Sequence, residues 1–142
     1  LENFLGDKEG LLSWKLDGLT IVLTYEDGKL ISGVTRGTGI IGELVTENVK
    51  QFKNVPLTIP YKGRLVLRGE AIIKYSDFNR MNEELGDGSS QYKNPRNLCS
   101  GSVRQLDSSI TAKRCVNCII FALIESSTNI SNLKSECFAW SA

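Results

Sequence analysis

Lys15-Leu16-Asp17-Gly18 is the first run in the chain with the makings of a reaction centre. A lysine amine attacks phosphorus or a carbonyl carbon only in its deprotonated form. Burial or neighbouring cations favour that form. Arg36, Arg96 and Arg104 are the candidate cationic neighbours, and each could also neutralise a phosphate. Asp-Gly is equally a favoured turn pair. A K-x-D-G run arises by chance in roughly a few per cent of chains this long. The run therefore takes its meaning from what surrounds it.

The rest of the composition narrows the chemistry. The chain has 142 residues, the size of one ordinary domain, with 41% hydrophobic and 23% charged residues. It contains no histidine, so a Ser-His-Asp triad, a Cys-His pair and a histidine-bound metal are excluded within it. Lysine plus arginine number 17 against 16 acidic residues, a net charge of +1. A chain so balanced is a poor clamp for phosphate polymers by itself. Cysteines stand at 99, 115, 118 and 137, and Cys115-Val-Asn-Cys118 forms a C-x-x-C. A zinc site needs a second close pair, which the sequence lacks. A thioredoxin-like pair needs a strand followed by a helix N-terminus. Here both cysteines read as strand positions beside the apolar run Val116 to Leu123, and thus as buried, reduced thiols of a cytoplasmic protein. No apolar run approaches the roughly 20 residues of a membrane span. Leu1-Glu2-Asn3-Phe4 has no targeting pattern and reads as a cut or processed start.

The elements that must position these residues follow from local pattern. An apolar run over 11–17 places Lys15 at a strand end. Leu19 to Tyr25 predicts a strand, Glu26-Asp27-Gly28-Lys29 a tight turn, and Leu30 to Arg36 its antiparallel partner. Gly37, Gly39 and Gly42 mark a glycine-rich loop. Thr46 is the expected cap of a short helix reaching about Phe52. Leu65 to Ile73 predicts a strand interrupted at Arg68-Gly69-Glu70. Ser76 is the expected cap of a helix carrying Phe78, Met81 and Leu85 and ending at Gly86, ahead of a loop over 87–90. Asn94-Pro95 opens a helix reaching about Leu106. On it Arg96 and Arg104 would stand about 80° apart around the axis. Val116 to Leu123 predicts a buried strand, Ser126 to Asn129 a linker, and Ser131 the cap of a last helix with Leu133, Cys137 and Trp140 on its apolar side. Hairpin strands with interspersed helices imply an α+β fold of mostly antiparallel sheets.

Six motifs then occur in one order: K-L-D-G at 15–18; T-R-G at 35–37 with G-E at 42–43 and V-T at 45–46; L-R-G-E at 67–70; N-P-R-N at 94–97; G-S-V-R-Q-L-D at 101–107; and I-T-A-K-R at 110–114. From about Ser13 to Leu123 this resembles the adenylation domain of NAD-dependent DNA ligases. The resemblance implies a nucleotidyltransferase, ATP-grasp-like core with flanking helices. It implies that Lys15 attacks the α-phosphorus of NAD to form a lysyl-AMP. The AMP then passes to the 5′-phosphate of nicked double-stranded DNA, and the 3′-hydroxyl displaces it. Asp17 would orient the lysine and the ribose or metal region, Gly18 would admit the nucleotide, and Arg36 would contact its ribose-phosphate part. Glu70 would accept from the ribose hydroxyls, and Arg96 and Arg104 would contact phosphate or DNA. Mg2+ is expected by the same resemblance, as is a bacterial or phage-like cytoplasmic setting.

The chain also departs from the family pattern. Ser13 stands where a glutamate near the adenine is usual, and Trp14 beside it offers an aromatic face instead. Thr38 and Leu44 replace aspartates, and Leu98, Cys99 and Ser100 replace three alanines. These changes suggest a diverged paralogue. The family's nicotinamide-binding helical subdomain has no counterpart before Leu1. Its later lysine-bearing strands are expected beyond Ala142, and its barrel, zinc finger and helix-hairpin-helix are expected to be absent from these residues. The 142 residues thus read as a partial adenylation domain, inactive in isolation. Two other readings compete. One is a non-catalytic module that binds AMP or NAD. The other is an ATP-dependent ligase or capping-type guanylyltransferase, which shares K-x-D-G but lacks the N-P-R-N to R-Q-L-D helix.

Overall fold

A computed structural model describes residues 6–10, 12–37, 41–86 and 91–127. The expectations for Thr38 and Gly39, the 87–90 loop, the first four residues and the last helix with Ser131, Leu133, Cys137 and Trp140 lie outside the described residues. Strand β1 (Leu19–Glu26) turns into β2 (Lys29–Thr35) through Asp27 and Gly28, both at positive φ (49° and 81°). That pair of angles is what a two-residue hairpin matched to strand twist requires. Helix α1 (Thr46–Val49) follows, then β3 (Arg64–Ile72), α2 (Tyr75–Leu85), α3 (Pro95–Val103), α4 (Ser108–Lys113) and β4 (Asn117–Ser126). The four strands form one antiparallel sheet in the order β2-β1-β3-β4. The expected α+β class with antiparallel pairing is what the chain adopts.

The core forms where the strand period and the helix stripes meet. Ile21, Leu23 and Tyr25 alternate inward from β1, Leu65, Leu67 and Ala71 from β3, and Cys118 and Ile120 from β4. Val49 of α1, Phe78 and Met81 of α2, and Leu98, Cys99 and Val103 of α3 complete the same cluster. Tyr25 is buried to 2% exposure, and its hydroxyl donates to the Pro56 carbonyl at 2.8 Å. Burial pushes that hydroxyl's pKa up. Edge strand β4 is covered in part by the Asn54 side chain, which exchanges two hydrogen bonds with the Cys118 main chain at 2.8 Å each. The side-chain amide thus copies a neighbouring strand at an edge that would otherwise invite pairing.

Several local expectations give way to longer-range contacts. Residues 12–17 have no regular structure, so Lys15 does not sit on a strand end. Thr46 is not a cap: Val45 holds that position, the helix stops at Val49, and the Thr46 hydroxyl accepts from the Gly33 N–H at 3.1 Å. Ser76 lies inside α2, whose N-cap is Lys74, and Leu85 is exposed. Helix α3 starts as expected, with Asn94 Oδ1 accepting from Asn97 N–H and Pro95 at its first turn, but ends at Val103. Asp107 then caps the separate helix α4 by accepting from Ser109 N–H at 2.9 Å. Cys115 is not a strand residue: it precedes β4 at φ 54° and is half-buried.

Strand β3 is continuous through Arg68-Gly69-Glu70, and the register shifts lie in its pairing with β4. A Cβ at Gly69 would lie 2.5 Å from the Cys118 sulfur and 2.9 Å from Ile120 Cδ1. Glycine therefore makes room for the β4 side chains without breaking the strand. Gly69→Ala is expected to lower stability by about 1–3 kcal/mol through overpacking, read by denaturant titration; an unchanged midpoint contradicts this. Burial also pushes the Cys99 and Cys118 thiols up to about 12. Under native conditions at pH 8, iodoacetamide is expected to modify Cys115 and to spare Cys99 and Cys118, with peptide mapping as the readout.

Candidate active site

Lys15 is exposed, three residues ahead of Gly18, where the chain passes close to β3. A Cβ on residue 18 would sit 1.9 Å from the Ala71 carbonyl oxygen, so the path admits only glycine. The register of β1 on β3 sets Thr20 opposite Glu70. Glu70 Oε1 accepts from the Gly18 N–H at 3.1 Å, and Oε2 accepts from the Thr20 hydroxyl at 2.9 Å. One carboxylate thereby fixes the main chain just after the lysine. Each oxygen keeps a further lone pair for an incoming hydroxyl donor. The Arg36 N–H donates to the Thr20 carbonyl at 3.0 Å, which brings Arg36, with its side chain exposed, to the same end of the sheet.

A cleft of about 840 Å³ opens between the Leu16–Leu19 segment, the junction of β3 with α2, and α3. Asp17 and Arg96 form an ion pair across it at 3.3 Å. Both side chains are exposed, and pairs of that kind hold weakly and exchange readily. Arg104 also borders the cleft, but as the C-cap residue of α3 and not as a helical one. The expected 80° spacing with Arg96 therefore does not apply. The Arg104 guanidinium instead bonds to the Glu43 carboxylate and the Ser100 hydroxyl. Two groupings result: Gly18, Thr20, Arg36 and Glu70 at the sheet end, and Asp17, Arg96 and Arg104 around the cleft. Lys15 stands beside both in sequence, outside the residues that line the cleft. Trp14 is 93% exposed and also does not line it.

Sequence reasoning assigned no role to Thr20, Glu43 or Ser100. Thr20 and Glu43 meet their partners 50 and 61 residues away, so the G-E motif marks Glu43 without indicating its contact with Arg104. Ser100 had a signal, since it lies four residues before Arg104 and thus one helical turn away. Among the described residues no three of His, Cys, Asp and Glu gather as a metal site, and no helix is long and apolar enough to cross a membrane.

A family model for the NAD-dependent DNA ligase adenylation domain matches residues 2–140. The chain is 64% identical over 124 residues to a protein of Lachnoclostridium phytofermentans named DNA ligase, covering 87% of this chain and 19% of that protein. It is 54% identical over 141 residues to one of Ruminiclostridium cellulolyticum with the same name, covering 99% and 22%. A DNA ligase of Helicobacter pylori strain HPAG1 is 48% identical over 124 residues, covering 87% and 19%. The chain thus spans about a fifth of the length of these relatives.

The Glu70 bracket is directly testable by amide hydrogen exchange. Glu70→Ala is expected to speed exchange at Gly18 roughly fivefold, as loss of one hydrogen bond of about 1 kcal/mol implies. Glu70→Gln should keep most of the protection, because its single oxygen still serves Gly18 while the Thr20 hydroxyl turns to accept from the amide. Equal protection in wild type and Glu70→Ala contradicts the assignment.

Proposed function

The chain belongs to the NAD-dependent DNA ligase adenylation domain family, and from that premise we propose that it forms the nucleotidyltransferase core of a DNA ligase. The reading is supported by one observation: the segment bearing Lys15 is tied to Glu70 through Gly18 and to Arg96 through Asp17, so a carboxylate and a guanidinium both converge on the short stretch that carries the lysine. In the proposed reaction the Lys15 amine attacks the α-phosphorus of NAD. The N–P bond forms as the bond to the bridging pyrophosphate oxygen breaks. The electron pair leaves on nicotinamide mononucleotide, and the nitrogen gives up a proton to solvent. A 5′-phosphate oxygen of nicked DNA next attacks the same phosphorus as the N–P bond breaks, and Lys15 departs as an amine that takes a proton from solvent. The 3′-hydroxyl then attacks the 5′-phosphorus and gives up its proton to solvent, the bond to the bridging oxygen breaks, and AMP leaves.

Each side chain has a part in this scheme. Glu70 accepts from the ribose hydroxyls with the lone pairs that Gly18 and Thr20 leave open. Arg36, at the same sheet end, faces the ribose-phosphate part. Asp17 orients the lysine segment. Arg96 and Arg104 exchange their carboxylate partners for the 5′-phosphate of the nick, which puts fixed positive charge where negative charge accumulates. Trp14, exposed beside Lys15, offers its ring to the adenine. Mg2+ is usually held by one or two carboxylates together with substrate phosphates. Asp17 suits that mode, and the ion would neutralise phosphate charge there. We place the protein in the bacterial cytoplasm, where NAD and DNA meet.

The test is covalent labelling of the full-length protein with NAD carrying label in its adenylate, followed by peptide mapping. A labelled Lys15 peptide, absent in Lys15→Ala, is the expected result, with ATP and GTP giving no adduct. An adduct on another lysine, or NAD binding without any adduct, contradicts the proposal.

A further inference from the structure

We infer that Asn48 is a positioning residue for Arg104, acting from the buried side of the chain; the inference rests on the phosphate role proposed for that arginine. Helix α3 ends at Val103, where its last carbonyls have no partner within the helix. Asn48, only 7% exposed, supplies one: its Nδ2 donates to the Val103 carbonyl at 2.6 Å and to the Gln105 carbonyl at 2.9 Å. The two carbonyls flank Arg104, so one amide grips the main chain on both sides of the arginine. The Asn48 Oδ1 accepts from the fully buried Thr111 hydroxyl at 2.9 Å, which sets the amide the right way round. The same hydroxyl lies 2.8 Å from the Ser102 carbonyl and shares its single proton between the two acceptors.

The grip leads back to the sheet. The Val45 N–H donates to the Gly33 carbonyl at 2.8 Å, and the Gly33 N–H donates to the Thr46 hydroxyl at 3.1 Å. A Cβ on Gly33 would lie 2.6 Å from Val49 Cγ2, so helix α1 presses directly on β2. Glu43, in the segment leading into α1, is pinned to Thr35 by two hydrogen bonds, at 2.9 and 3.0 Å, and holds the Arg104 guanidinium from outside. The segment from Glu43 to Asn48 therefore supports Arg104 twice, at its side chain and at its main chain. A cation held this way keeps its place when Glu43 yields to a phosphate.

The experiment uses the full-length protein and measures two rates in single turnover: adenylation of Lys15 by NAD, and transfer of AMP to a 5′-phosphorylated nick. Asn48→Ala, Arg104→Ala and the double variant are expected to slow transfer by a similar factor, about tenfold, and Asn48→Ala is expected to slow transfer more than it slows adenylation. Losses that multiply in the double variant overturn the inference, as does an Asn48→Ala protein that slows both steps equally. If Arg104→Ala transfers normally, the phosphate role of Arg104 falls, independently of the grip. Should Asn48→Ala fail to fold, Thr111→Val is expected to slow transfer about threefold and Thr111→Ser to restore it; transfer by Thr111→Val equal to wild type overturns the inference.

Discussion

The Glu70 carboxylate is the contact on which the arrangement around Lys15 depends. Its two oxygens join β3 to the start of β1 across a separation of about fifty residues, at the Gly18 N–H and the Thr20 hydroxyl. The contact exists only because β1 and β3 pair in a register that sets Thr20 against Glu70. That register follows from burial of Ile21, Leu23, Leu65 and Leu67 on one face, since a slip of β1 by one residue would turn Ile21 and Leu23 outward. The hydrophobic core thus determines where a charged group meets the segment that carries Lys15.

A second layer of polar contacts does for the arginines what Glu70 does for the lysine segment. Buried polar groups are costly unless every partner is present. Among the described residues no buried side-chain nitrogen or oxygen lacks a hydrogen bond, and Asn48, Ser102 and Thr111 are all satisfied by groups around the end of α3. The exposed pairs Asp17 with Arg96 and Glu43 with Arg104 are of the opposite kind. They are weak and reversible, as the proposed exchange of a carboxylate for a phosphate would require. Rigid buried contacts beneath exchangeable surface contacts give preorganisation without locking the site shut.

What was legible in the sequence was local. Asp27-Gly28 marks the hairpin because both residues tolerate positive φ, and Asn94-Pro95 marks the start of α3 because each suits its capping position. The ordered motifs around Lys15, Glu70 and Arg96 carry the family, which the matching family model bears out. The errors share one cause. Thr46 looked like a cap, but its hydroxyl serves Gly33 of β2. Gly69 looked like a break, but it clears space for Cys118 from β4. Helix α3 was extended to about Leu106, three residues past its end at Val103, and that left no place for helix α4, whose cap Asp107 follows at once. In each case the deciding partner is remote in sequence or set by where a neighbouring element stops, and periodicity does not register either.

The most direct test of the central claim is a crystal structure of the full-length protein after treatment with NAD. The account predicts continuous density from Lys15 Nζ to a phosphorus, with ribose hydroxyls within hydrogen-bond distance of Glu70 while Glu70 still holds the Gly18 N–H. A nucleotide bound with its ribose away from Glu70, or an adenylate on any other side chain, would contradict it.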